Sequence, residues 1–226
     1  MDREEFLNAL DALVAEKHLL KHPFYVLWNQ GKLTREHIRE YAISYYPHVL
    51  AFPTYVSGVH SGCDDPGIRQ ELLENLIEEE GGPANHPALW RRFAAALGAR
   101  ETDLSTRPRT PEVEEVIAEF RRATREGSVA EGLAALYAYE SQIPEISRTK
   151  REGLAAFYEI DDAEAVRFFT VHEEADVWHR RVEREALGRI ATTAAEREKA
   201  LAAAERCLDA LQRTLDGVMR ENGLAA

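Results

Sequence analysis

Cysteine, lysine and long apolar runs are scarce in this chain, and each scarcity removes a class of function. Cys63 and Cys207 are the two cysteines and stand in unrelated contexts, so they frame neither a disulfide scaffold nor a thiolate metal site. No stretch approaches the roughly 18 apolar residues of a membrane span. The opening Met1-Asp2-Arg3-Glu4-Glu5-Phe6 is charged and lacks the apolar core of a secretory leader. Basic excess is missing as well: the net charge is −12, which leaves nothing to offset phosphate repulsion in a nucleic-acid groove. The expectation is a protein of the reducing cytoplasm with no nucleic-acid or membrane partner. Five of the 28 basic residues are lysines, so arginine is the default cation here.

What is present is helical patterning. The 226 residues are 45% hydrophobic and 30% charged, ordinary values for a globular protein, and a chain of this length can bury about 70% of its unfolded surface. Phe6, Leu10, Leu13 and Val14 make an apolar face that stops before Pro23. Thr34 caps a long helix with the face Tyr41, Tyr45, His48, Phe52, Tyr55 and Val59. A third helix starts at Asp64-Asp65-Pro66-Gly67 and ends at Gly81-Gly82-Pro83, and a fourth spans about 87–97. Glu101 to Pro111 reads as a polar loop. Further helices are expected at about 112–126, 129–141, 145–158, 161–187 and 192–221, the last with the stripe Leu201, Ala204, Leu208, Leu211, Leu215 and Val218. The economical reading is all-α: one domain over 1–226, a bundle of seven to nine helices.

The sharpest local pattern is His172-Glu173-Glu174-Ala175-Asp176-Val177-Trp178-His179. Its three ligand-type residues recur at i, i+4 and i+7 and share a helix face. Two imidazoles and a carboxylate suit iron, manganese or zinc and leave positions open; a solvated acidic helix with incidental histidines is the plain alternative. Glu79 closes the third helix and His86 opens the fourth, so a sharp turn can aim both into one cavity. Counting from Leu72 and Leu76 favours Glu79 or Glu80 as the inward residue. Glu140 stands in the low-charge stretch Leu136-Tyr137-Ala138-Tyr139-Glu140-Ser141, where a buried carboxylate needs a partner such as a metal. Three carboxylates and three histidines can hold two divalent cations. No Glu-x-x-His occurs, which separates this bundle from ferritin-like ones.

Glu79 and His86 seven residues apart, then Tyr139-Glu140, then His172-x3-Asp176-x2-His179, together resemble the heme-oxygenase-like dimetal oxidases. The resemblance covers most of the chain and is nearest to the CADD-like branch, named for a chlamydial protein associating with death domains. It implies a heme-oxygenase-like helical bundle without haem. It also implies two metal ions (Fe/Fe or Fe/Mn), dioxygen as co-substrate and an external reductant. CADD-like proteins make para-aminobenzoate, the aromatic part of folate, from one of their own tyrosines, with a lysine of the same chain as nitrogen source. The matching positions are Tyr25, in His22-Pro23-Phe24-Tyr25, and Lys150, in Arg148-Thr149-Lys150-Arg151, with Tyr41 and Tyr139 as further redox or pocket tyrosines. On composition alone, a lysine between arginines is consistent with a need for a transferable amine, which guanidinium cannot offer; a solvated basic turn explains it too.

Three other readings stay open. The dimetal site acts on an external small molecule; or the chain is a metal-free relative, like pyrroloquinoline-quinone synthase or a thiaminase, which needs a nucleophilic cysteine; or it is a non-catalytic helical interaction module. A homodimer is a further expectation.

Overall fold

The computed structural model describes the backbone of residues 1–224 and the side chains among them other than those of 174–179. Among the described residues there are eleven α-helices and no strand. The all-α expectation holds, and the count exceeds seven to nine because short pieces form helices of their own.

Capping chemistry starts most elements. α1 (Arg3–Glu16) opens on a reciprocal box in which Asp2 Oδ1 accepts the Glu5 N–H at 2.9 Å and Glu5 Oε2 accepts that of Asp2 at 2.8 Å. The apolar pattern does stop before Pro23, but a new helix, α2 (Pro23–Asn29), begins at that proline. Proline suits the first helical position, where its missing N–H is no loss, and His22 Nδ1 accepts the Phe24 N–H at 3.1 Å. α3 (Arg35–Gly62) follows its Thr34 cap and runs for 28 residues through Pro47 and Pro53. α4 (Pro66–Glu80) and α5 (His86–Ala96) start from Asp65 and Asn85 and meet at the Gly81-Gly82 turn, where Gly82 takes φ +68°.

The expected polar loop at 101–111 is corrected: it contains α6 (Glu101–Thr106). Asp103 accepts the Arg100 N–H at 2.9 Å, and Leu104 is buried; one apolar contact and one cap suffice for a single turn and a half. α7 (Pro111–Arg121) passes into a π-helical turn, Arg122–Glu126. α8 (Val129–Glu140), α9 (Ile143–Tyr158), α10 (Arg167–Ile190) and α11 (Ala194–Glu221) complete the bundle. α10 begins at 167 rather than 161, because Asp162 holds a turn by accepting the N–H groups of Glu164 and Ala165 at 3.1 and 3.0 Å.

α8 is the axis of the bundle, packed by α3, α10 and α11. Ala130 and all of Gly132 to Glu140 are buried, as expected of a helix apolar on every side. Its small residues let neighbours approach: a Cβ on Gly132 would lie 2.6 Å from Val59 Cγ2 of α3. A core cluster of buried apolar side chains extends from Phe6 to Met219. No described helix is long and apolar enough to cross a membrane.

Candidate metal centre

α4, α5 and α10 each deliver one ligand-type side chain to a common buried spot. Glu79, His86 and His172 are all buried, and each offers a ligand atom within 4.8 Å of the others. Of the acidic triplet 78–80, Glu79 turns inward, and Glu78 and Glu80 are exposed. Asn85 helps to shape the turn between the two helices, its Nδ2 donating to Gly82 O at 2.9 Å while Oδ1 caps Ala88. His86 Nδ1 then lies 2.9 Å from Glu79 Oε1. The rings of His86 and His172 are 4.1 Å apart, centroid to centroid, and Phe168 packs on both. His172 Nδ1 meets Phe168 O at 2.6 Å. A carbonyl only accepts, so Nδ1 carries the proton, and in the neutral ring Nε2 is the ligand atom.

This donor set fits a metal. Two ligand atoms about 2.1 Å from one ion and at right angles to each other stand about 3 Å apart, the spacing of Glu79 Oε1 and His86 Nδ1. Among the described residues no lysine or arginine forms an ion pair with Glu79 or Glu140; the imidazole of His86 is what faces Glu79. Two imidazoles with carboxylate suit iron-class ions. Glu140, from the end of α8, is buried and accepts from Asn75 Nδ2 at 3.0 Å (Oε1) and 3.3 Å (Oε2). Asp176 and His179 lie outside the described residues.

The sequence reading missed Asn75. Its signal was available: it lies four residues before Glu79, on the same face of α4, and both are buried.

Beside the metal spot lies an aromatic chamber. Lys150 projects from α9 into it, 5% exposed. Its Nζ is 2.7 Å from Tyr41 Oη and lies 5.0–5.9 Å from the ring centroids of Tyr25, Tyr41, Tyr45, Trp90 and Phe169. Tyr41 Oη is in turn 3.2 Å from Tyr25 Oη, and Tyr45 Oη is 3.4 Å from Tyr139 Oη. Trp90 of the chamber packs on Phe168, which packs on His86 and His172, so the chamber and the ligand cluster share a wall. Burial pushes the Lys150 amine down to about 7, because an ammonium loses more hydration than the rings return. Burial also raises the phenols of Tyr25, Tyr41, Tyr45 and Tyr139, with Tyr45, then Tyr25 and then Glu79 adding to the effect on Tyr139; all four stay protonated at neutral pH. His48, in the same stripe, is fully buried against Tyr45, Phe52, Tyr55, Phe120 and Tyr139 and is held neutral, burial pushing it down to about 3.

Neither cysteine fits a nucleophile's place. Cys63 caps the end of α3 and is buried, and burial pushes the Cys207 thiol up to about 12, away from the thiolate that such chemistry needs.

Comparison with known proteins agrees with this geometry. Residues 39–212 match the model of a family described as iron-containing redox enzymes. The chain is 44% identical to a 4-aminobenzoate synthase of Nitrosomonas europaea over 227 residues, covering 96% of this chain and 92% of that one. It is 41% identical to a 4-aminobenzoate synthase of Chlamydia trachomatis over 214 residues, 95% and 92% of the two chains. Among solved structures, a Shewanella denitrificans domain with a heme oxygenase-like fold superposes with a TM-score of 0.82 at 20% identity, covering 99% of this chain and 94% of that one.

Proposed function

This chain belongs to the iron-containing redox enzymes of heme-oxygenase-like fold, and from that premise we propose that it makes para-aminobenzoate (4-aminobenzoate) from its own Tyr25, with Lys150 as nitrogen donor. The observation that carries this reading is the file of Lys150 Nζ, Tyr41 Oη and Tyr25 Oη, spaced 2.7 and 3.2 Å apart inside the core. An amine and a phenol stand beside each other with no external ligand needed to supply either. The names of the two relatives support the product.

Glu79, His86, Glu140, His172, Asp176 and His179 would hold two iron-class ions, Fe/Fe or Fe/Mn. When bound, these supply oxidising power drawn from dioxygen and an external reductant. The protein's own groups do the rest. The product carries a carboxyl carbon para to its nitrogen, which matches the tyrosine ring with Cβ retained and nitrogen in place of Oη. Buried phenols that stay protonated must give up electron and proton together, and Tyr41 Oη is the station that can pass a proton between Tyr25 and Lys150. Trp90, Phe169, Tyr45 and Tyr41 surround the amine and exclude water. Lys150 must be neutral to act as nucleophile, a condition that its burial favours. The chain is consumed by its product. A reducing, cytoplasmic setting with reductant at hand suits this chemistry.

The test loads the protein with iron, and in parallel with iron and manganese, then adds oxygen and reductant. Para-aminobenzoate and the intact mass of the chain are measured. The parent should release product and lose the corresponding mass, and Tyr25→Phe should release background amounts. Lys150→Arg, which keeps charge without a transferable amine, should also fall to background. Equal product from Tyr25→Phe sinks the self-consuming reading; loss only in Tyr41→Phe would move the source to the phenol that Lys150 touches directly.

A further inference from the structure

Glu140 occupies an awkward position for a carboxylate. It is the last residue of α8, on a helix apolar on every side. It is also buried, 2% exposed, so water does not solvate its charge. Something from outside the helix must hold it, and what reaches it is Asn75 of α4, itself 3% exposed.

An ionised carboxylate only accepts hydrogen bonds, so the amide must present Nδ2 to Glu140, which sits 3.0 and 3.3 Å from the two oxygens. Asn75 Oδ1 has no hydrogen-bond partner among the described residues. An asparagine on the inward face of an amphipathic helix, with one polar atom left over, is a costly choice where leucine would pack. Arginine or lysine would bind the carboxylate more strongly, but would cancel the charge that attracts a cation. A neutral donor orients Glu140 and leaves its charge and remaining lone pairs available. Asn75 lies one turn from Glu79, so a single rigid helix supplies one carboxylate and fixes the direction of another.

We propose that Asn75 is a positioning residue of the metal centre: its Nδ2 aims the Glu140 carboxylate and thereby sets the geometry between the α4 and α8 ligands. This rests on the reading of Glu79 and Glu140 as ligands. Loss of such a hydrogen bond to a ligand typically weakens metal affinity by about 10–100-fold.

The experiment compares the parent with Asn75→Leu, which fills the space without a donor, and Asn75→Ala, a smaller and helix-favouring change. Each apoprotein is checked by circular dichroism and thermal melting, titrated with ferrous iron and manganese against a competing chelator, and examined by electron paramagnetic resonance after loading. The expected result is a folded Asn75→Leu protein that binds at least one ion about 10–100-fold more weakly, with a changed resonance spectrum, and Asn75→Ala shifted the same way. Parent-like affinity and spectrum in both variants would overturn the inference while leaving the ligand reading intact. Failure of both variants to fold would make Asn75 a structural residue and overturn it also. A parent that binds no metal removes the ligand reading itself, and the inference with it.

Discussion

At the scale of single residues, the role proposed for Lys150 would connect chemistry and stability through one equilibrium. Its amine is pushed from 10.5 down to about 7 by burial. Between about pH 7 and 10.5 the unfolded chain therefore holds a proton that the folded chain has released. Stability should rise with pH across that window, by up to about 1.4 kcal/mol per unit. The neutral amine fraction rises about tenfold per unit below 7 and levels off above it. Product formation in a single round of reaction should follow the same curve: steep from pH 5.5 to 7, flat from 7.5 to 8.5. The measurement is para-aminobenzoate released at each pH, with metal content verified in every sample. A profile flat from pH 5.5 upward would remove Lys150 from the nucleophile's role.

At the scale of elements, the contact of α8 with α3 depends on the missing side chain of Gly132. Alanine there gains up to about 1 kcal/mol in helix propensity. Its Cβ, however, would meet Val59 Cγ2 at 2.6 Å, and overpacking of that kind costs about 1–3 kcal/mol. The clash wins, so Gly132→Ala should lower the melting temperature. Gly62, at the end of α3, has nothing within 4 Å of its added Cβ, so Gly62→Ala should leave the melting temperature unchanged or raise it. Opposite signs in the two melts check the packing; equal shifts would show that propensity alone was being read. α2 is held by a different device. His22 accepts the Phe24 N–H at Nδ1, so Nε2 carries the proton and donates it to Asp216 Oδ1 of α11 at 3.0 Å. That clasp fixes the short helix on which Tyr25 sits.

For the whole molecule, a metal held by the buried Glu79, His86 and His172 would make folding and metal binding one linked process. Ions that bind the folded chain alone stabilise it by about 2.7 kcal/mol when present at 100 times their dissociation constant. For a chain of this size, each kcal/mol moves the melting temperature by about 2–4 °C. Chelation should therefore lower the melting temperature by roughly 5–10 °C, and iron or manganese should restore it in scanning calorimetry. An unchanged melt after verified metal removal would count against a buried dimetal site. The surface pairs, such as Arg92–Glu164 and Arg148–Glu152, are exposed and add little to this balance.

The sequence by itself determined which faces turn inward. Periods of three and four marked α1, α3 and α11, the Thr34 cap and Asp64-Asp65-Pro66-Gly67 marked helix starts, and the steps from Leu72 and Leu76 narrowed the acidic triplet to Glu79 or Glu80. Those are local facts, set within a few turns by backbone geometry and burial. The helices α2 and α6 were not legible, because seven and six residues are too few to display a period. Tertiary structure decided which inward faces meet. Asn75 and Glu140 are 65 residues apart, and Tyr41 and Lys150 are 109 apart. Nothing in either local pattern encodes a partner so distant. The packing of α4 on α3 and of α9 on α10 brings these groups within hydrogen-bond reach. The ligand types could be read from the chain, but the amide that donates to Glu140 and the amine beside the phenols meet their partners only once the bundle closes.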